Sequence, residues 1–343
     1  MVFSVTSVFS VANHFFQREW TRVSLWHLIL WPISLVFGLL LALRRLAYGL
    51  KLIKSTRLPV PVIVVGNITV GGTGKTPLVI WLAEFLRNQG YTPCVISCGY
   101  GGRAVNPQSV SSATDPALVG DEAVLLARRL RCPVWVGADR VAVARALLSA
   151  RPDCNIILSD DGLQHYRLQR DVEIAVVDGQ RRYGNGLLMP AGPLREPQAR
   201  LRYVDAVVIN GDEAKAHEYA MQLNGELLQN LQNNSTAHAR DFIGKKIHAI
   251  AGIGHPARFF QHLRTLGLQA VEHAFADHHL YQPQDLQFDD VAAILMTEKD
   301  AVKCTAFAGE NAWFLPVQAT LTPTFGDKIL DLLKSLENAR NTA

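Results

Sequence analysis

Between Arg22 and Lys75 the chain contains no aspartate or glutamate, while Arg44, Arg45, Lys51, Lys54 and Arg57 crowd one short part of that span. That asymmetry points to an anionic neighbour. Nucleic acid is a poor candidate for it. The formal charge is only +4 over 343 residues, and no basic run carries the interleaved aromatics that track a nucleic-acid backbone. Cysteine is scarce too. The five thiols, Cys94, Cys98, Cys132, Cys154 and Cys304, are odd in number and form no C-x-x-C pair, which argues against a disulfide framework and for reduced, buried thiols in the cytosol. Internal repeats and low-complexity tracts are absent as well. With 49% apolar residues, the chain can bury one large core or two ordinary ones.

What the acid-free span has instead is apolar length. Residues 23–43, VSLWHLILWPISLVFGLLLAL, carry no formal charge over twenty-one positions and are bracketed by arginines. That length suits a membrane helix, and the run ends in Arg44-Arg45 instead of the small residues of a signal-peptide cleavage site. It is apolar all round, with Trp26 and Trp31 near one end, unlike a half-buried core helix. His27 and Pro32 interrupt it, so spanning and lying in the interface both stay open, and residues 1–16 offer a second, amphipathic contact. If the helix spans, the heavier basic flank on its carboxyl side places the rest of the chain in the cytoplasm.

Beyond Pro59 and Pro61 the pattern becomes strand then helix, repeatedly. Short Val- and Ile-rich runs at 62–65, 94–97, 134–136, 156–158 and 174–177 alternate with helical periodicity at 78–87, 122–130 and 141–149. This predicts an α/β fold, a parallel sheet with helices on both faces. A polar stretch at 224–240 precedes a second strand-rich block at 247–250, 291–296 and 314–317. The expected organisation is a membrane-associated helical segment at 1–57, a nucleotide-binding domain at 58–240 and a smaller C-terminal α/β domain at 241–343.

The loop after the first strand reads Thr69-Val70-Gly71-Gly72-Thr73-Gly74-Lys75-Thr76. Its ending is that of a P-loop, in which backbone N–H groups wrap phosphates, the lysine reaches the β/γ-phosphates and the hydroxyl binds Mg²⁺. Thr69 stands where the usual spacing has glycine. Pro77 suits the first turn of the helix that follows. The cofactors expected are therefore ATP and Mg²⁺.

A Mg²⁺-dependent phosphoryl site also needs carboxylates, and the apolar run into Asp160 and Asp161 reads as a second metal-binding strand, the alternative being a pair of solvated turn residues before Gly162. His165, shortly after, reads equally as a phosphate contact or a surface histidine. Asp121 and Glu122 open a helix, either capping it or acting as base or metal contact. Asp277, His278 and His279 follow a strand-like segment, but adjacent histidines point apart, so acid/base help at a cleft suits them better than zinc. Glu298-Lys299-Asp300 has its lysine one position late for guanine recognition, and Val70 stands where partition-type ATPases carry lysine.

The set GNITVGGTGKTP, SCGYGGR, GDE, SDDGLQH, PAGPLREP, FADHH and TEKDAVK, in that order, resembles the tetraacyldisaccharide 4'-kinase family, the lipid A 4'-kinases of Gram-negative bacteria. Thr69 is at home there. The resemblance implies a P-loop NTPase-like fold and ATP-dependent phosphorylation of the 4'-hydroxyl of a lipid-linked disaccharide 1-phosphate, at the cytoplasmic face of the bacterial inner membrane. It implies no protein partner. It further implies that Asp121 and His278 form the acid/base pair, that Glu122 and Asp161 lie near the metal with Thr76, and that Asp160, Arg140, His165 and Arg195 touch phosphate or substrate. The rival reading is a membrane-recruited P-loop ATPase acting as a nucleotide switch.

Overall fold

In this computed structural model the residues described are 19–341, apart from 21, 23 and 212. The amphipathic contact expected within residues 1–16 lies outside them.

Helix α1 (Trp26–Gly49) is long and apolar enough to cross a membrane, with a mean hydropathy of 2.0 in its best window. It keeps only one narrow stripe on the protein. His27 and Ser34 are buried on that stripe, whereas Leu28, Ile29, Trp31, Ile33, Leu35, Val36, Leu39 and Leu40 are exposed. Farther along, the Arg44 guanidinium donates to the Gln164 carbonyl (3.0 Å) and Tyr48 meets Tyr166.

The first half of the remaining chain builds strands β1 (Val62–Gly66), β2 (Pro93–Ser97), β3 (Gln108–Val110), β4 (Val134–Val136), β5 (Ile156–Asp160), β6 (Val172–Asp178), β7 (Ala206–Asn210) and β8 (Glu218–Asn224). Helices α2 (Lys75–Asn88), α3 (Pro116–Val119), α4 (Asp121–Arg129) and α5 (Arg140–Ala150) connect them. With β15 (Gln318–Leu321) they form a nine-stranded sheet ordered β15-β8-β7-β6-β1-β5-β2-β4-β3. Its six central strands and β8 run parallel, and β3 and β15 close its edges antiparallel. Continuous apolar runs such as Val62-Ile63-Val64-Val65 suit strands covered on both faces. One face carries a core with Leu78, Leu82, Leu86 and Leu126, the other a core with Val141, Ala144 and Leu147.

The second sheet, ordered β10-β9-β14-β13-β11-β12, comprises β9 (Leu227–Asn230), β10 (Thr236–His238), β11 (Ile247–Ala251), β12 (Ala270–Ala274), β13 (Ala293–Thr297) and β14 (Ala312–Leu315). Helices α6 (Pro256–Thr265) and α7 (Glu298–Cys304) accompany it.

The expected division at 240/241 does not coincide with these sheets. β9 and β10, within the polar stretch, already belong to the second sheet, where they pair antiparallel at an edge. After β14 the chain returns: β15 pairs with β8, and α8 (Pro323–Asn341) buries Phe325, Ile329 and Leu333 in the first core. Two crossings therefore tie the units together. All five cysteines are free; Cys94, Cys154 and Cys304 are buried and Cys98 and Cys132 partly so.

Candidate active site

Strand β1 sits between β5 and β6, and the loops after these strands meet at one edge of the sheet. Ligands in open α/β sheets bind at such an edge. Gly71 and Gly74 take φ of +94° and +93°, and a β-carbon on Gly74 would stand 2.3 Å from Asn210 Nδ2. Only glycine fits there. Side chains hold the loop's carbonyls: Asn67 donates to Gly71 O (3.3 Å), Arg181 to Gly72 O (2.6 Å) and Asn210 to Thr73 O (2.9 Å). The amides of Gly71, Gly72, Thr73 and Gly74 donate to no other described residue. With the start of α2 behind them, they form an anion cradle.

Thr69 has a physical reason. Its backbone bridges Leu194, Val70 N donates to Pro193 O (2.8 Å) and Arg195 N donates to Ile68 O (2.7 Å). A β-branched residue suits that extended pairing, and no positive φ demands glycine there.

Lys75 opens α2 and reaches Asp161, Nζ to Oδ1 3.5 Å. Arg195 holds the other oxygen of Asp161 at 3.2 Å. Burial pushes the Asp161 carboxyl up, but the charges of Lys75, Arg195 and Arg140 prevail and hold it below the ordinary range. Asp160 ends β5 opposite Val65, fully enclosed, with neither carboxylate oxygen hydrogen-bonded. Burial, with Glu122 nearby, pushes it up to about 7.

Arg140 differs from its expected role as a phosphate or substrate contact. It is buried and donates to the carbonyls of Ile96 (2.9 Å) and Asp160 (2.5 Å) and to Ser159 Oγ (3.2 Å). Its guanidinium, spent on strand ends beneath the site, positions the two aspartates. His165 is half-buried, and burial, with Arg140 close by, lowers its imidazole to about 4. It is therefore neutral near pH 7, and a phosphate contact from it would be made by a neutral N–H donor.

Asp121 and His278 come from different units and meet, His278 Nδ1 to Asp121 Oδ2 3.1 Å. Asp121 is buried at the start of α4, and its second oxygen accepts from Glu122 N (2.8 Å). Burial opposes its charge, but the hydrogen bond to His278 and the charges of Lys299, His278 and Lys303 outweigh it and keep the carboxyl below its usual value. His278 takes the left-handed conformation, φ +58°, and stacks at a tilt on Tyr100, 4.9 Å between ring centres. His279 turns away to Asp285 (3.0 Å), so the adjacent histidines diverge as expected.

Among the described residues no group of three or more His, Cys, Asp and Glu side chains is arranged to hold a metal by itself. Thr76 follows Lys75 at the start of α2, Lys75 reaches Asp161, and Asp160, with Glu122 nearby, adds a buried carboxylate with two unpartnered oxygens. This fits Mg²⁺, which takes one or two carboxylates and completes its shell with water and phosphate.

Several residues of the site have no role legible in the sequence, Lys299 among them although it lies within TEKDAVK. Lys299, on α7, sits 3.2 Å from Glu122, 3.4 Å from Asp277 and 3.3 Å from His278 Nε2. Arg258, on α6, donates to Asp178 Oδ2 (3.2 Å) and Asn210 O (2.9 Å), fastening the second unit beside the phosphate loop. A β-carbon on Gly254 would lie 2.7 Å from Gly72 N. The second unit thus closes directly over the cradle.

Residues 26–334 match the family model described as tetraacyldisaccharide-1-P 4'-kinase. The chain is 51% identical over 325 residues to the tetraacyldisaccharide 4'-kinase of Methylobacillus flagellatus, covering 94% of this chain and 97% of that one. It is 53% identical over 307 residues to that of Nitrosococcus oceani, covering 89% and 90%. In three dimensions it resembles LpxK from Aquifex aeolicus, whose crystal structure is in complex with ATP, with a TM-score of 0.74, 28% identity and coverage of 88% of this chain and 97% of that one. A phosphate cradle roofed by a second unit, and a carboxylate–imidazole pair formed only between the two units, accord with this likeness: the chain belongs to the tetraacyldisaccharide 4'-kinase family.

Proposed function

We propose that this protein transfers the γ-phosphate of ATP to the 4'-hydroxyl of a tetraacyldisaccharide 1-phosphate, giving the 1,4'-bisphosphate of the lipid A pathway. The observation that carries the reading is the Asp121–His278 pair, 3.1 Å apart across the cleft that the phosphate loop floors. A hydroxyl nucleophile needs a positioned base. Asp121, kept ionised by its cationic neighbours, accepts the hydroxyl proton, and His278 orients the carboxylate and shares that proton.

The cradle of residues 69–76 binds the phosphates. Lys75, paired with Asp161 before ATP arrives, turns to the β/γ-phosphates, and Arg195 keeps hold of Asp161. Thr76, Glu122 and Asp161 would hold Mg²⁺. Bound there, it would neutralise charge on the phosphate oxygens. Closure of the second unit, through Arg258 and Gly254, excludes water that would otherwise take the phosphoryl group.

An acceptor with several acyl chains stays in a bilayer, so the enzyme works at its surface. The outward face of α1 supplies apolar anchorage, and Arg44, Arg45, Lys51, Lys54 and Arg57 supply attraction to anionic headgroups. Because α1 is seated on the protein from His27 to Tyr48, it suits a position in the interface of the inner membrane's cytoplasmic leaflet.

The test is transfer of label from γ-labelled ATP, with Mg²⁺ in detergent, to tetraacyldisaccharide 1-phosphate, with Asp121→Ala alongside. A labelled bisphosphate made by the intact enzyme and lost in the variant supports both activity and base. Labelled inorganic phosphate without lipid product would leave the nucleotide switch instead.

A further inference from the structure

Helix α1 reads from sequence as an anchor, yet its buried stripe grips one specific segment, residues 185–195. Ser34, only 4% exposed in the middle of an otherwise apolar helix, donates from Oγ to Leu188 O (2.9 Å) and accepts from Ala191 N (3.0 Å). One turn on, a β-carbon on Gly38 would stand 3.0 Å from Leu188 Cδ1, so the helix approaches closely here. About two turns before, His27 Nε2 lies 3.0 Å from Asn185 Nδ2, and the same amide donates to Ala191 O (2.9 Å). An anchor needs none of this. A hydroxyl in an apolar helix costs free energy unless it is paired, and here its one O–H is shared between Leu188 O on the 185–195 strap and Leu30 O on its own helix.

The other edge of the strap carries the phosphate loop. Pro193 O accepts from Val70 N, Leu194 bridges Thr69, and Arg195 N donates to Ile68 O. The Arg195 side chain then continues to Asp161, the partner of Lys75. Between α1 and the phosphate cradle there is accordingly one layer of chain, bonded on both sides.

We infer that α1 is a structural wall of the ATP site: Ser34, as a positioning residue, fixes the 185–195 strap and through it the phosphate loop, so that seating of the helix sets ATP affinity independently of membrane binding. This rests on the reading that residues 69–76 bind ATP. The loop's glycines leave it few constraints of its own, and the strap supplies two backbone hydrogen bonds flanking Thr69, at Val70 N and Ile68 O. Loosening the strap increases the conformations that ATP binding must select against.

The experiment uses the full chain in detergent and in anionic vesicles. ATP binding by the unaltered protein, measured by calorimetry, comes first; its absence would defeat the nucleotide-site reading itself. Ser34→Ala removes the strap bonds, and Gly38→Leu forces the same seam apart without touching a hydrogen bond. Both are expected to weaken ATP binding roughly three- to tenfold, Ser34→Ala through one or two lost buried hydrogen bonds and Gly38→Leu by wedging Leu188 away from the helix, with vesicle flotation unchanged. Leu39→Gln, on the exposed face, is expected to do the reverse. Ser34→Ala and Gly38→Leu with wild-type ATP affinity would overturn the inference and leave α1 an anchor only. Hydrogen exchange of the unaltered chain gives a second arm that no misfolded variant can spoil. The amides of Val70, Ala191 and Arg195 should open together with those of α1, and independent opening would overturn the coupling.

Discussion

His278 Nδ1 stands 3.1 Å from Asp121 Oδ2, and no stretch of chain shorter than 157 residues joins the two. One begins a helix on the nine-stranded sheet, the other follows the edge strand of the second sheet. The pair therefore exists only while the two units are together, and in the proposed mechanism it would act as one base. Asp121→Asn and His278→Ala should each lower kcat on the order of 10²–10⁴-fold. The double variant should be no slower than the worse single one, as for residues that work as a unit. Multiplicative losses in single-turnover assays would mean that the two side chains serve separate steps.

Lys299 holds this arrangement together from the second unit. Its ammonium, 15% exposed, lies within 3.9 Å of Asp121, Glu122 and Asp277. Burial works against the charge, but those three carboxylates win and raise its pKa above the usual lysine value. Lys299→Met would leave three carboxylates facing one another. A loss of about 2–3 kcal/mol is expected in urea unfolding, near the lower end for breaking a buried ion cluster. Lys299→Arg should recover part of it. A neutral Lys299→Met would show that water already screens the cluster.

The parts of this site that were legible in the sequence are those whose chemistry is local. GGTGKT declares itself because a tight turn, an anion cradle and a helix start are all made by consecutive residues, and SDDG because an apolar run ends in two carboxylates. Arg258, Arg181 and Asn210 were not legible, since an arginine on a helix or in a turn, or an asparagine ending a strand, has no local sign that it will reach a carbonyl distant in sequence. Arg140 was misplaced for the same reason: only the fold shows that its guanidinium is consumed by Ile96 and Asp160 carbonyls. The polar stretch at 224–240 showed no strand signal because β9 and β10 lie at a sheet edge and need little apolar surface. The return of β15 and α8 to the first sheet depends on pairing across about a hundred residues, which periodicity does not encode.

His165 makes a pH prediction with a definite sign. Burial, reinforced by Arg140, brings its imidazole down to about 4 from 6.5, so the folded chain holds fewer protons than the unfolded one between those values. Stability from this group is complete above pH 6.5 and is lost progressively as pH falls toward 4. Replacing it by a neutral side chain, His165→Gln, should flatten the stability curve there. The gain should reach roughly 2 kcal/mol by pH 4, allowing for partial exposure, at about 1.4 kcal/mol per pKa unit. Parallel urea titrations at pH 7.5 and 4.5 measure it, and equal differences at both would show that the imidazole is not protected from protons.

Gly74→Ala tests the cradle. At φ +93° an alanine is strained, and its methyl would sit 2.3 Å from Asn210 Nδ2, the group that ties back Thr73 O. ATP binding should fall at least tenfold, because both the turn and its fastening are disturbed. Retained affinity in calorimetry would place the phosphates elsewhere.

Gly254→Ala probes closure without removing any side chain of the site. Its β-carbon would lie 2.7 Å from Gly72 N and 3.3 Å from Asp277 Oδ2, and neither backbone nor the paired carboxylate yields cheaply. The second unit must then ride a few tenths of an ångström higher over the phosphate loop. His278 and Lys299 ride with it, so the Asp121 contact lengthens while the cradle itself stays intact. The expected result is a fall in kcat of about tenfold or more with ATP affinity changed less than threefold, since misplacement of reacting groups is costly. Hydrolysis to free phosphate should rise relative to lipid product, because a raised roof admits water. An equal loss in ATP binding would instead show that Gly254 serves the nucleotide directly.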